Sequence, residues 1–129
     1  AVKLGVKEAL GVDQDPDAVR ISIENAQTNE IAGLVSFREG SVQEILVQDE
    51  WSRGSPLLAA NIIAPVLTAL FEEGMGELVS PRGRIILSGI LKDQLPKILI
   101  SLEQEGFMLL EEFHQEGWIG LVAEKHSAP

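Results

Sequence analysis

Three places in this sequence put a polar group where a ligand could reach it. Asp13 closes the apolar run ALGV, Asn61 interrupts the run AANIIAP, and Ser88 with Gly89 closes GRIIL. A carboxylate at the end of a strand can accept two hydrogen bonds from the vicinal hydroxyls of a ribose, so Asp13 is a candidate for holding a nucleoside cofactor. The alternative is that Asp13 only begins the turn GVDQDPD. An amide within a run as apolar as AANIIAP must find partners or carry a desolvation cost of about 1 to 3 kcal/mol. Asn61 could therefore orient an incoming amine, its carbonyl accepting the amine's hydrogen bond and leaving the nitrogen lone pair aimed at an electrophilic carbon. The structural alternative is an asparagine capping the next helix, a favoured place for that residue. Ser88 lacks the G-x-S-x-G frame and the histidine partner that a serine nucleophile needs.

The remaining polar and aromatic side chains carry less. His114 and His126 lie far along the chain from these positions and read as solvated surface. Trp51 and Trp118 could each wall a pocket, although tryptophan in a small domain is more often partial core. The pairs Glu72 with Glu73 and Glu111 with Glu112 read as solvated faces.

The elements that would position the candidates alternate between short Val, Ile and Leu runs and longer runs with helical spacing, the pattern of an α/β fold with a parallel sheet. Strands are expected at Glu8 to Val12, Leu34 to Phe37, Leu57 to Ile63 and Arg84 to Ser88. Asp15 precedes Pro16 as a cap precedes a first-turn proline, predicting a helix to about Asn29 with Ala18, Val19, Ile21, Ile23 and Ala26 as its apolar face. A second helix is predicted from Pro65 to Val79, stopped by Pro81 and Gly83, and a third carries Leu95, Ile98, Leu99 and Leu102 and ends at Gly106. Ser41 to Ser55 fits a short helix about as well as a strand. Phe107 to Phe113 and Trp118 to Glu124 predict an antiparallel hairpin around Glu116 and Gly117. In an open sheet of this class, ligands bind outside the carboxyl ends of the strands, where Asp13, Asn61 and Ser88 fall.

Composition narrows the function classes. At 129 residues and 45% apolar content, one domain with one core is expected. Twenty acidic against ten basic residues give a net charge of -10, which opposes phosphate-backbone binding and makes a basic protein a better partner than a nucleic acid. No cysteine is present, and two histidines are too few for a zinc site, so a metal-free, soluble, cytoplasmic protein is expected. The apolar stretch from Leu57 to Phe71 is interrupted by Asn61, Pro65 and Thr68 and falls short of the roughly 20 residues that cross a bilayer. The opening AVKLGVKEALGV has no signal-peptide order, and its lack of an initiating methionine suits a processed or trimmed start.

Taken in order, ALGVDQDPDAVRISIENAQTN, LLAANIIAPVLTAL, GRIILSGILKDQ and EGFMLLEEFHQEGWIGLVAEK closely resemble the catalytic domain of the ribosomal protein L11 methyltransferase family, from Ala1 to Lys125. The resemblance implies a Rossmann-like class I methyltransferase sheet, mostly parallel with an antiparallel terminal hairpin. It implies methyl transfer from S-adenosylmethionine to amino groups, including lysines, of a basic ribosomal protein. By that analogy Asp13 binds the ribose hydroxyls, Asn61 is the catalytic residue beside the methyl group and the target nitrogen, and Ile62, Ile63 and Ala64 shape the wall. Asp13 and Asn61 would then flank one crevice at the same rim of the sheet.

The departures from the family bear on cofactor binding. Before the segment resembling AVKLGVKEAL, members carry a first strand and a glycine-rich turn at the cofactor, and an amino-terminal substrate-recognition domain, which residues 1 to 129 do not include. Ser55 and Pro56 stand where members usually have an acidic residue. The first strand would lie at the sheet's centre, between the strands ending at Asp13 and Asn61, and its absence leaves two edges without backbone partners. Upstream residues, direct pairing of those two strands, or self-association through the exposed edges could supply the pairing. Two rival readings follow: a remnant that binds no cofactor, and a nicotinamide-dependent oxidoreductase, which predicts an all-parallel sheet end in place of the hairpin.

Overall fold

The computed structural model describes residues 8–48 and 54–126, and the chain divides into two compact units, Ala1–Glu44 and Ile45–Pro129. Six strands fall into two sheets: β1 (Ala9–Asp13) pairs with β2 (Val35–Glu39), and β3 (Ser55–Asn61), β4 (Val79–Leu91), β5 (Phe107–Gln115) and β6 (Trp118–Lys125) are ordered β3-β4-β6-β5. Among the described residues β1 pairs with β2 alone and β3 with β4 alone, so direct pairing of β1 with β3, one of the three expected resolutions, is not seen there.

In the first unit, β1 and β2 run parallel, in register from Ala9 opposite Val35 to Asp13 opposite Glu39. The crossover is α1 (Pro16–Thr28), begun by Asp15, whose side chain accepts a hydrogen bond from the Asp17 N–H at 2.9 Å, with Pro16 in the first turn as its spacing predicts. The inward face of α1 differs from the expected stripe. Ala26 is buried and Ala18, Val19 and Ser22 are half-buried, whereas Ile21 and Ile23 are 48% and 41% exposed. Positions 18, 22 and 26 fall one turn apart along a helix, while 21 and 23 are rotated off that line.

α2 (Val42–Gln48) settles the ambiguous stretch as a helix. Its start is written in SVQE: the Glu44 N–H donates to Ser41 Oγ, and Ser41 Oγ donates to Glu44 Oε1, both at 3.4 Å. Residues 49 to 53, Trp51 among them, lie outside the described residues.

In the second unit, β3 and β4 are parallel, and β6 lies antiparallel between β4 and β5. The alternation along β4 separates the faces of this sheet. Ile85, Leu87 and Ile90 are fully buried beside Ile119, Leu121 and Ala123 of β6, whereas Ile86 is 40% exposed on the opposite face. Leu67 and Phe71 of α3 (Ala64–Glu72) and Ile98 and Leu102 of α4 (Leu95–Gln104) complete the core, with the Phe71 and Phe107 rings edge-on at 6.5 Å.

Several boundaries differ from expectation: β3 is Ser55–Asn61 where Leu57 to Ile63 is expected, so it stops at Asn61, and β4 runs on to Leu91, past Ser88. The predicted helix from Pro65 to Val79 ends at Glu72, because Gly74 takes φ +104 and a 3₁₀ turn at Met75–Leu78 leads into the strand. β4 in turn begins at Val79, not Arg84. Pro81 and Gly83 do not terminate an element; they sit in a bulge, where the register steps from Ser55 opposite Val79 to Leu57 opposite Arg84 and a missing N–H costs no ladder bond. Lys125, at the end of β6, donates from Nζ to the carbonyls of Gly76 and Val79, each at 2.8 Å, and so ties the last strand to the entrance of β4. The hairpin has the predicted two-residue turn, Glu116 at φ +49 and Gly117 at φ +85, the left-handed pair of a type I′ turn.

Candidate functional site

The carboxyl ends of the strands carry the predicted residues. In the first unit Asp13 is exposed at the end of β1, and its Oδ1 accepts the Asp15 N–H at 2.9 Å while its backbone carbonyl accepts the Gly40 N–H at 3.0 Å. The turn-forming role and the ligand-binding role are therefore compatible. One carboxylate oxygen organises GVDQDPD, and the other accepts no hydrogen bond among the described residues. Glu39, its partner in register, is also exposed. Sequence reasoning does not single out Glu39, because the charged pair Arg38 and Glu39 reads only as the end of a strand.

In the second unit Asn61 ends β3 opposite Ser88, and the Ile62 N–H carries the pairing one step further to the Ser88 carbonyl at 3.3 Å. Asn61 is exposed, which corrects the expectation of an amide embedded in an apolar run. The desolvation cost that motivates its selection does not arise. The capping alternative is also set aside, since the residue at the cap of α3 is Ile63, with no side-chain hydrogen bond. Asn61 thus presents a carboxamide with no hydrogen-bond partner among the described residues, at the end of a strand whose next residues turn at once into a helix.

Its nearest constraint comes from β4. Gly89 takes φ +84, and a Cβ built on it would lie 2.9 Å from Asn61 Oδ1 and 3.2 Å from the Ile62 carbonyl oxygen. Asn61, Ile62, Ser88 and Gly89 therefore form one cluster. Ile62 is half-buried, Ile63 59% exposed and Ala64 buried, so of the expected wall only Ile63 stands clear in solvent.

The terminal hairpin is nearer this cluster than its place in the sequence suggests. β5 runs in the same direction as β4 because β6 is antiparallel to both, so the Glu116–Gly117 turn lies at the sheet end that carries Asn61. Trp118, opposite Leu91, is 51% exposed there and is not core. His114 is exposed and sits 2.9 Å from Glu112 Oε1, and His126 is exposed. Glu72 is exposed as expected, but Glu73 is only half-exposed and its Oε2 is buried without a hydrogen-bond partner among the described residues. Among the described residues no group of three or more His, Cys, Asp or Glu could hold a metal ion, and no helix is long and apolar enough to cross a membrane.

Comparison with known proteins places the chain in a family and a fold. The family model described as Ribosomal protein L11 methyltransferase (PrmA) matches residues 1–126. A curated protein of that name from Synechococcus sp. (strain RCC307) is 38% identical over 122 residues, covering 95% of this chain and 40% of the relative. Among solved structures, a ribosomal protein L11 methylase from Lactobacillus delbrueckii subsp. bulgaricus superposes with a TM-score of 0.83 at 31% identity, covering 98% of this chain and 62% of that one. A Methanococcus jannaschii fibrillarin pre-rRNA processing protein, at 12% identity and a TM-score of 0.73, covers 94% of this chain and 57% of its own and shares the fold alone. The α/β fold with its terminal hairpin is that of Rossmann-like methyltransferases, and the chain spans about 40% of the length of the curated relatives it matches.

Proposed function

The chain belongs to the ribosomal protein L11 methyltransferase family, and from that membership we propose that residues 1 to 129 are part of a class I domain that methylates amino groups, including lysines, of a basic ribosomal protein. The observation that carries this reading is the exposed, uncapped carboxamide of Asn61 at the end of β3, within a chain matched by the family over residues 1–126.

Each unit by itself holds groups suited to S-adenosylmethionine. In the first, Asp13 offers a carboxylate oxygen without a partner among the described residues, which suits ribose hydroxyls; in the second, Asn61 with Ile62 offers a polar acceptor beside an apolar wall. S-adenosylmethionine, when bound, supplies an electrophilic methyl group on a sulfonium that is already a good leaving group. Asn61 then acts by positioning, its carbonyl accepting a hydrogen bond from the neutral amine and holding the nitrogen lone pair on the methyl axis. Held geometry of this kind supplies most of the acceleration such a displacement needs. The net charge of -10 complements a basic protein partner.

The second reading, a remnant that binds no cofactor, draws support from β1 and β3, each paired on one side only among the described residues. Calorimetric titration of the chain with S-adenosylmethionine separates the two. Micromolar affinity abolished by Asp13→Ala supports the methyltransferase site, and no heat at millimolar ligand supports the remnant. The same unpaired flanks are the surfaces through which copies of the chain would self-associate.

A further inference from the structure

The exit of β4 is built as a bulge. Leu87 pairs with Leu121 and Ile90 with Ile119, so Ser88 and Gly89 together face the single residue Gly120 of β6. A glycine in the left-handed region is the signature of one bulge class, and bulges next to functional sites re-aim a side chain. Here the turned-out backbone meets Asn61. Ser88 stays in register with Asn61 and accepts the Ile62 N–H at 3.3 Å, while Gly89, at φ +84, leaves the space into which Asn61 Oδ1 and the Ile62 carbonyl project.

We propose that Gly89 is a positioning residue for methyl transfer: by lacking a side chain inside a β-bulge, it lets the Asn61 carboxamide lie against the β4 exit and so fixes the direction in which that amide faces the acceptor amine. Any Cβ at position 89 would sit 2.9 Å from Asn61 Oδ1, closer than real side chains approach, and would have to displace it. Two requirements coincide at one residue, the backbone conformation and the empty space. The first alone would be met by a glycine in any tight turn; the second is specific to Asn61 and Ile62.

This inference rests on the assignment of Asn61 to methyl transfer, and its test separates the two. In the 129-residue chain, the side-chain amide resonances of Asn61 are assigned by their loss in Asn61→Asp. Gly89→Ala is expected to displace them while those of Asn25 and Asn29 stay in place, and to weaken S-adenosylmethionine binding by about tenfold or more. Asn61→Ala is expected to weaken binding similarly, with no further loss in the double variant, since residues acting as a unit do not add. Gly89→Ala is expected to lower Tm in any background through its φ of +84, and by less where Asn61→Ala has removed the Oδ1 contact. Asn61 resonances unmoved by Gly89→Ala, additive binding losses, or an equal Tm loss in both backgrounds would each overturn the role of Gly89 and leave Asn61 untouched. Absence of binding in the unaltered chain would overturn both.

Discussion

Phe37 lays its ring over Gly11, its partner in the parallel register of β1 and β2, so closely that a Cβ at position 11 would lie 2.7 Å from Phe37 Cδ1. The glycine is thus part of the packing of the first unit, because the ring occupies the volume a side chain would need. Gly11→Val is expected to cost about 1 to 3 kcal/mol through overpacking. Urea unfolding would read it as a lower midpoint, and Phe37→Leu in the same chain should recover part of the loss. An unchanged midpoint would show that the ring moves aside freely.

The Lys125 ammonium is held by two carbonyls at 2.8 Å in a partly buried setting. Hydrogen bonds to a charged donor contribute about 1.5 to 3 kcal/mol. Lys125→Met keeps the aliphatic stem and removes the donor, so about 2 kcal/mol of stability should be lost by chemical denaturation. A loss as small as that of an exposed lysine would mean that water replaces the ammonium without cost.

Asp15 caps α1 through the Asp17 N–H. Asp15→Ala is expected to destabilise by about 1 kcal/mol, and Asp15→Asn by much less, because either side chain can accept that bond. Hydrogen exchange of the first-turn amides would locate the effect, and uniform protection in the Ala variant would refute it.

If the proposed site transfers methyl groups, Asn61→Ala is expected to lower kcat by about 100-fold with a smaller change in KM, because a misplaced acceptor loses orientation more than contact. Asp13→Ala should act chiefly on cofactor affinity. A raised KM with unchanged kcat at Asn61 would assign it to binding alone.

Among the described residues β3 is hydrogen-bonded on one side only, and it exposes Leu57 at 45%. Unpaired apolar strands invite pairing between chains, so sedimentation should show association rising with concentration and reduced by Leu57→Lys. A single monomeric species at every concentration would exclude these flanks as a contact.

Much of the fold is readable because its signals are local. Asp15-Pro16 marks the start of α1, Glu116-Gly117 marks the hairpin, and the alternating runs mark the α/β class. Less readable is whatever depends on residues distant in sequence. The early start of β4 depends on a bulge opposite the distant Ser55, whereas the end of α3 is a local signal that the helical spacing overruns, the left-handed Gly74 two residues after Glu72. Ile21 and Ile23 enter the expected face of α1 for being apolar, although their angular positions turn them outward. At the site, the residue type of Asn61 points to the right place for an insufficient reason: the amide is exposed, and its constraint comes from Gly89, 28 positions later, which no local pattern connects to it. The start of α2 is local too, since Ser41 and Glu44 of SVQE hydrogen-bond to each other across its first turn.

β6 is the last of the four strands in its sheet to be made, yet it lies in the interior, between β4 and β5. A nascent chain that has emerged only as far as Gln115 holds β4 and β5 without the strand that joins them. β3 and β4 can pair as they leave the ribosome, but β5 can join them only once β6 has emerged, so the apolar flank of β4 and the whole of β5 stay available to chaperones until then.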